Sequence, residues 1–183
     1  MNNKTEMATL ANGCFWCSEA IFKRLRGVKS VLLDYAGGLV KNPSYDQVCD
    51  GKTGHAESIQ IEFDPKVITF EKILDIFWHT HNPTTLNRQG NDIGTQYRSA
   101  ILYHDQKQKE LAEKSKKDLE KKGAYRDSVV TEIIPFKNFS PAEDYHKNYY
   151  EKHEDAQYCS FVIDPKMHKL IQGYGNYLRE EYK

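Results

Sequence analysis

Hydrophobic and polar residues alternate along the chain with two different periods, which predict short strands and helices in turn. After Gly13, the residues Cys14, Cys17, Ile21 and Leu25 are three or four positions apart, which is the spacing of one helix face. The predicted helices cover residues 14–25, 70–79, 105–122 and 141–153, with a further short helix near residues 165–170. The predicted strands cover residues 7–11, 28–35, 55–63, 97–103 and 128–134.

This order of elements contains a βαββαβ core. Such a core predicts an α/β (α+β) two-layer sandwich of the ferredoxin-like, split βαβ type, with extra C-terminal elements. Two long polar loops, residues 39–54 and 82–95, interrupt the pattern, and loops of that length without structure of their own indicate function. The chain has 183 residues with no repeat or linker, so we expect a single domain over residues 1–183.

Composition narrows the choice of partners. The chain has 26 Lys and Arg residues against 26 Asp and Glu residues, and this balance gives no support for binding nucleic acid or an anionic membrane. No apolar run is long enough to cross a membrane, and residues 1–6 lack the apolar region of a signal peptide. We therefore expect a cytoplasmic protein whose four cysteines are reactive thiols rather than a disulfide scaffold.

The clearest chemical signal is the segment Cys14-Phe15-Trp16-Cys17, which places two thiols about one helical turn apart with two aromatic residues between them. At a helix N-terminus, backbone N–H groups and the helix dipole stabilise a thiolate, so we expect a lowered pKa for Cys14. Cys17 is near enough in sequence to close a small disulfide ring. Two buried structural cysteines are the alternative interpretation.

Two other classes of protein are compatible with this segment. A thioredoxin-like disulfide oxidoreductase also carries a C-x-x-C segment at a helix start. A zinc site could combine Cys14 and Cys17 with histidines such as His79 and His81, although no second C-x-x-C or H-x-x-x-H pattern follows. We expect no metal.

One carboxylate is distinguished by its position in a predicted strand. Glu57 has the same parity as Ile59, Ile61 and Phe63, so it shares the apolar face of the strand over residues 55–63. Burial raises the pKa of a carboxyl group, and a carboxyl group that keeps its proton near neutral pH can act as a general acid. The alternative is that Glu57 lies at the end of the strand and turns to solvent.

Four motifs occur in one order: GCFW at residues 13–16, TGHAE at 53–57, QGNDIGTQYRS at 89–99 and PAEDYH at 141–146. Together they strongly resemble the peptide-methionine (S)-S-oxide reductases, the A-type methionine sulfoxide reductases. The resemblance runs from about residue 8 to at least residue 159. It implies a two-layer α/β fold and the thiol-dependent reduction of methionine S-sulfoxide, protein-bound and free, in the repair of oxidised proteins.

The resemblance also implies roles for individual residues. Cys14 would be the nucleophile that attacks the sulfoxide sulfur and becomes a sulfenic acid, and Glu57 would be the acid that protonates the oxygen. Tyr45 and Tyr97 would hydrogen-bond that oxygen, and Asp92 would help to arrange the site, although Asp92 could equally form a loop Asx turn. The pocket for the substrate methyl group would be formed by Phe15 and Trp16.

The second cysteine of the cycle is less clear, because two departures from the family pattern occur. Cys17 stands where Gly is frequent, and Cys159 lies in a partly apolar segment rather than in a flexible Gly-rich tail. Cys159 matches the position of a family resolving cysteine and is our first choice, with Cys17 second. The resulting disulfide needs an external dithiol, with thioredoxin the expected partner. We expect a monomer that needs no cofactor, since sulfur itself carries the electrons.

Overall fold

A computed structural model describes residues 4–183. A six-stranded sheet forms its centre, with the strand order β7-β6-β1-β3-β2-β8, and a separate two-stranded hairpin joins β4 to β5. The eight strands, in chain order, are β1 (Glu6–Asn12), β2 (Val28–Ala36), β3 (Ala56–Phe63), β4 (Arg88–Gln89), β5 (Asp92–Ile93), β6 (Ser99–Tyr103), β7 (Glu132–Pro135) and β8 (Ser140–Pro141).

Six α-helices accompany the sheet: α1 (Phe15–Phe22), α2 (Tyr45–Cys49), α3 (Phe70–Thr80), α4 (Gln106–Lys121), α5 (Tyr149–Lys152) and α6 (Asp164–Tyr174). A π-helical turn, Cys159–Ile163, leads directly into α6. Within residues 4–183, no helix combines the length and the apolar character that crossing a bilayer requires. The prediction of a mixed α/β fold is confirmed.

The sheet is mostly antiparallel. Strand β1 lies at its centre, with Leu10 opposite Ile59 of β3 on one side and opposite Ile101 of β6 on the other. Only the β6–β7 pair is parallel among the pairings of the described residues. All three of these side chains are buried on the helix-covered face, so the alternation of apolar residues fixes which face of the sheet carries the main core.

The opposite face of the sheet is also covered, which the sequence pattern did not predict. Ser58 and Gln60 of β3 are buried there, and both hydrogen-bond the carboxyl group of Asp34 on the neighbouring strand β2. A small apolar cluster of alanines and Leu102 continues this face, and Phe136 packs against it. Burial raises the pKa of Asp34 to about 7, against the opposing effect of its two hydrogen bonds.

The helices begin and end close to the predicted positions, with some differences in length. The side chain of Thr69 accepts a hydrogen bond from the amide of Lys72 and so caps the N-terminus of α3. The first helix was predicted over residues 14–25, but the observed helix α1 is shorter. Cys14 is its N-cap, and it ends at Phe22. The predicted helix near residues 165–170 is longer and extends over Asp164–Tyr174.

The predicted helix over residues 141–153 is wrong. Pro141 instead pairs with Asp34 at the sheet edge in β8. A 3-10 turn, Asp144–His146, follows, and Asn148 adopts a left-handed conformation with φ of 56°. A left-handed residue interrupts a right-handed helix, so only the single turn Tyr149–Lys152 forms α5.

The two long loops contain short elements of their own. Loop 39–54 holds α2, which begins with a capping box between Ser44 and Gln47, and loop 82–95 holds the β4–β5 hairpin. The predicted strand over residues 97–103 begins only at Ser99, after a 3-10 turn at Thr95–Tyr97. The predicted strand over residues 128–134 is reduced to Glu132–Pro135.

Candidate active site

Cys14 lies at the junction between β1 and α1. The preceding Gly13 has φ of 96°, and a Cβ atom there would approach Cγ of Gln89 to 2.6 Å, so only glycine fits this turn. Cys14 occupies the N-cap of α1, and Cys17 lies three positions further along, within hydrogen-bonding reach of it. Both thiols are buried, with exposed fractions of 5% for Cys14 and 1% for Cys17.

The expected lowering of the Cys14 pKa is wrong. Burial raises the pKa of Cys14 well above its ordinary value, and its neighbours Cys17 and Glu57 raise it further. The first amide of α1, that of Phe15, donates its hydrogen bond to Glu57 instead of to the Cys14 sulfur. The thiol pair therefore carries its negative charge on Cys17, whose pKa is lowered to about 6 by hydrogen bonding with Cys14.

Glu57 is buried on the apolar face of β3, as the strand parity predicts, with an exposed fraction of 2%. Its Oε2 atom accepts a hydrogen bond of 3.0 Å from the Phe15 amide. Burial nevertheless raises the pKa of Glu57 to about 8, and the charges of Asp92 and Cys17 act in the same direction. The alternative that Glu57 turns to solvent is excluded, and this carboxyl group holds a proton at neutral pH.

Tyr45 and Asp92 come from the two long loops, Tyr97 ends the 3-10 turn Thr95–Tyr97, and all three lie near Glu57. Glu57 is close enough to raise the pKa of both tyrosine hydroxyls, although burial is the larger cause for each. Asp92, at the start of β5, accepts a hydrogen bond of 2.8 Å from the hydroxyl of Tyr158. The two loops and this turn thus bring three predicted site residues together with the acid.

An aromatic wall adjoins the thiols. Phe15 is buried, whereas Trp16 is only partly buried and stacks on Tyr149 with ring centroids 3.6 Å apart. The Trp16 indole Nε1 donates to Nδ1 of His146 at 3.1 Å, and the Tyr158 ring meets Trp16 edge-on at 5.7 Å. An aromatic enclosure of this kind suits an apolar S-methyl group.

Several residues of this enclosure were not recognised from the sequence. The sequence pattern assigns no role in the site to Tyr149, His146 or Tyr158. Glu143 was missed as well, although it accepts hydrogen bonds from the Tyr35 hydroxyl at 2.7 Å and from the Tyr45 amide at 2.9 Å. Glu143 and His146 could have been found from the sequence, because both belong to the PAEDYH motif. Tyr158 could have been found because it directly precedes Cys159.

The remaining cysteines differ in burial. Cys159 has no exposed surface, and burial raises its pKa, with the charges of Asp164 and Cys17 acting in the same direction. Cys49 is exposed in α2, in contact with Tyr45. Lys166 of α6, which the sequence did not single out, lies near enough for its positive charge to add to the lowering of the Cys17 pKa by Cys14.

The zinc alternative finds no support in the described residues. No group of three or more His, Cys, Asp or Glu side chains within residues 4–183 is arranged to hold a metal ion. His81, proposed for such a site, is buried with Nδ1 bonded to the Phe77 carbonyl at 2.6 Å and Nε2 to Ser99 at 2.7 Å. Both ring nitrogens of His81 are therefore engaged in hydrogen bonds within the protein, and neither is free to bind a metal ion.

Comparison of the sequence with known proteins identifies one family. The sequence profile of a family described as peptide methionine sulfoxide reductase matches residues 6–177. The chain is 54% identical to the peptide methionine sulfoxide reductase MsrA of Sulfolobus acidocaldarius over 169 residues, which are 92% of this chain and 95% of that protein. It is 50% identical to MsrA of Polynucleobacter asymbioticus, over 97% of this chain and 93% of that protein.

Solved structures give the same result. The reduced form of Mxr1 from Saccharomyces cerevisiae superposes with a TM-score of 0.80 at 36% identity, covering 87% of this chain and 91% of that one. Methionine sulfoxide reductase A of Corynebacterium diphtheriae superposes with a TM-score of 0.73 at 34% identity, covering 84% of this chain and 77% of that one. Because the family profile covers residues 6–177 and the relatives are about half identical over nearly the whole chain, the chain belongs to the peptide methionine sulfoxide reductase family.

Proposed function

We propose that the protein reduces methionine S-sulfoxide, in oxidised proteins and as the free amino acid, to methionine by thiol chemistry at Cys14. The observation that carries the proposal is the contact between the Cys14 junction and a protonated acid: Oε2 of Glu57 lies 3.0 Å from the amide nitrogen of the residue next to Cys14. Disulfide exchange alone needs no buried acid, whereas loss of a sulfoxide oxygen does.

In the first step, the substrate methyl group occupies the aromatic enclosure beside Trp16. The Cys14 thiol passes its proton to the Cys17 thiolate, and the Cys14 sulfur attacks the sulfoxide sulfur. Glu57 protonates the sulfoxide oxygen, while the hydroxyls of Tyr45 and Tyr97 hydrogen-bond it. Methionine leaves, and Cys14 becomes a sulfenic acid.

In the second step, a second thiol condenses with this sulfenic acid and water leaves. Cys159 and Cys17 are both buried. The family position favours Cys159, whereas the closeness of Cys17 to Cys14 favours Cys17. An external dithiol then reduces the disulfide. A relative, yeast Mxr1, has been solved in complex with Trx2, which supports a thioredoxin as this partner.

The remaining predictions belong to the same proposal. The order β6-β1-β3-β2 at the centre of the sheet, with α1 and α3 between its strands in sequence, supports the ferredoxin-like description. A single domain over residues 1–183, a monomeric state and a cytoplasmic location stay predictions from the sequence.

The proposal is tested by measuring turnover of the two separated sulfoxide epimers of N-acetylmethionine amide, with thioredoxin as the reductant. We expect turnover of the S epimer only. Turnover of the R epimer alone would contradict the stereochemistry, and no turnover of either epimer would overturn the proposed function.

A further inference from the structure

Tyr45 lies in the first long loop, whose two ends are hydrogen-bonded to neighbouring segments. Its amide is the first of α2 and needs a partner outside the helix, because the first amides of a helix have no intrahelical acceptor. That partner is Glu143, whose Oε1 accepts the hydrogen bond at 2.9 Å. Among the residues that the structure describes, loop residues 41–48 form no other hydrogen bond with a segment outside the loop.

Glu143 is itself anchored to strand β2. The amide of the preceding residue, Ala142, donates to the Leu33 carbonyl at 3.0 Å, and the hydroxyl of the fully buried Tyr35 donates to Oε2 of Glu143 at 2.7 Å. Although burial raises the pKa of Glu143, these bonds from Tyr35 and from the Tyr45 amide lower it below its ordinary value. At neutral pH the group is therefore a carboxylate, with one oxygen bonded to the sheet and the other to the loop.

The same segment also holds the methyl pocket. The ring of His146 packs against the ring of Tyr45 with centroids 4.6 Å apart, and its Nδ1 accepts the hydrogen bond of the Trp16 indole. Burial lowers the pKa of His146, so the imidazole is neutral and carries its proton on Nε2, which faces Oε2 of Glu143 at 3.7 Å. Residues 143–146 therefore connect the side chain proposed for the sulfoxide oxygen with the side chain proposed for the methyl group.

We propose that Glu143 is a positioning residue, which fixes the Tyr45 hydroxyl relative to the methyl pocket so that it meets the sulfoxide oxygen in the transition state. The proposal rests on the proposed function for the role of that hydroxyl. A sulfoxide carries its oxygen and its methyl group on one sulfur atom, so the two subsites must keep a fixed separation. Because displacement of a reacting group by about 1 Å can cost up to about 100-fold in rate, loss of the Glu143 contacts should lower kcat rather than raise KM.

Three variants separate geometry from charge. Glu143→Met keeps the length of the side chain but removes both acceptor oxygens, and it should lower kcat by about tenfold while KM changes by less than about twofold. Glu143→Gln removes the charge but can form both bonds, because its carbonyl oxygen accepts from the Tyr45 amide while its NH₂ group donates to the Tyr35 hydroxyl. It should recover most of the loss, with kcat lowered by less than about threefold.

Asp144→Met is the matched control, since it removes an exposed carboxylate from the same 3-10 turn and should turn over like the unmodified protein. An unchanged kcat in Glu143→Met would overturn the proposal. Equal losses in Glu143→Met and Glu143→Gln would also overturn it, because charge rather than geometry would then be responsible.

A double-mutant cycle shows whether Glu143 acts through Tyr45. Tyr45→Phe lacks the hydroxyl that Glu143 is proposed to position, so adding Glu143→Met to it should lower kcat by no more than about twofold. A further tenfold loss in the double variant would contradict the proposal, because Glu143 would then act through a different group.

Amide hydrogen exchange, followed by NMR in the full-length protein, tests the contact without substrate. In Glu143→Met, the Tyr45 amide should exchange about tenfold faster. The amide of Val48, which bonds to the Ser44 carbonyl at 3.0 Å within the loop, should change little. Unchanged exchange at Tyr45 would overturn the proposal, and so would equal acceleration at Val48, because the loop as a whole would then unfold.

The exchange measurement also keeps the two proposals apart. If the unmodified protein turned over neither sulfoxide epimer, the proposed function would fail, and with it the effect of Glu143 on kcat. Exchange at Tyr45 would still show whether Glu143 fixes the start of α2.

Discussion

The amide of Phe15 donates a hydrogen bond of 3.0 Å to Oε2 of Glu57, so the residue next to the nucleophile is tied directly to the acid. Hydrogen bonding to a carboxylate lowers its pKa, yet burial outweighs this contact and the pKa of Glu57 is about 8. The bond thus positions the acid beside Cys14 without removing its proton at neutral pH.

A Glu57→Gln substitution should slow reduction at pH 7 by roughly 10²-fold, because glutamine keeps the shape but cannot give up a proton. In the unmodified protein, kcat/KM should rise as Cys17 ionises near pH 6 and fall as Glu57 loses its proton near pH 8. The pH profile of kcat/KM measures both limbs, and the falling limb should be absent from the variant.

Glu62→Gln is the matched control, since Glu62 lies on the same strand but on the opposite face, where it accepts hydrogen bonds from Thr5 and Ser30. If the two variants lost activity equally, or if Glu57→Gln kept the falling limb, Glu57 would not be the acid.

Cys14→Ser should abolish turnover, because a serine hydroxyl is too weak a nucleophile to attack the sulfoxide sulfur at neutral pH. Methionine release is measured after mixing with one equivalent of substrate, so that recycling plays no part. Cys49→Ser, which changes an exposed cysteine, should release methionine normally. Methionine release by Cys14→Ser would show that another thiol starts the reaction.

Tyr97→Phe and Tyr45→Phe should each lower kcat by roughly 10-fold or more, with a smaller effect on KM. Both hydroxyls lie near Glu57, where they can stabilise charge on the sulfoxide oxygen as it develops in the transition state. Steady-state kinetics separate the two parameters. Tyr103→Phe, on β6 away from this group, provides the comparison, and equal effects in all three variants would argue against a role for the hydroxyls.

Asp34 should make the stability of the protein depend on pH. Its folded-state pKa is about 7, above the ordinary value, so its contribution to stability is greatest at low pH and is lost as the pH rises through about 7. Relative to the unmodified protein, Asp34→Asn should therefore gain unfolding free energy of roughly 2 kcal/mol between pH 5 and pH 8.

Urea unfolding at the two pH values gives this difference directly. Asn is the suitable replacement because the amide of Gln60 can turn to satisfy it. Asp64→Asn, which changes another buried carboxyl group at the end of β3, is the control. The same pH dependence in the unmodified protein and in Asp34→Asn would show that Asp34 does not titrate on unfolding.

Local pattern predicted the parts of the site that lie within one element. The parity of β3 placed Glu57 on the buried face, and the spacing after Gly13 placed Cys14 and Cys17 on one turn of α1. Both predictions depend only on strand or helix periodicity, which the sequence carries directly.

The sequence was less informative where distant segments meet. The pattern over residues 141–153 is compatible with a helix, but pairing of Pro141 with Asp34 and the left-handed Asn148 break it, and both depend on the tertiary fold. The hydrogen bond of Tyr158 with Asp92 joins residues far apart in sequence, and no local pattern predicts it.

The stacking of Trp16 on Tyr149 gives the protein an internal optical reporter. The chain contains only two tryptophans, and the other, Trp78, is buried beside α4 with its indole bonded to Ser115 at 2.6 Å. Emission that changes on addition of substrate therefore comes from Trp16. Occupancy of the methyl pocket and departure of methionine can be followed by fluorescence in the unmodified chain, without an attached dye and before any disulfide has formed.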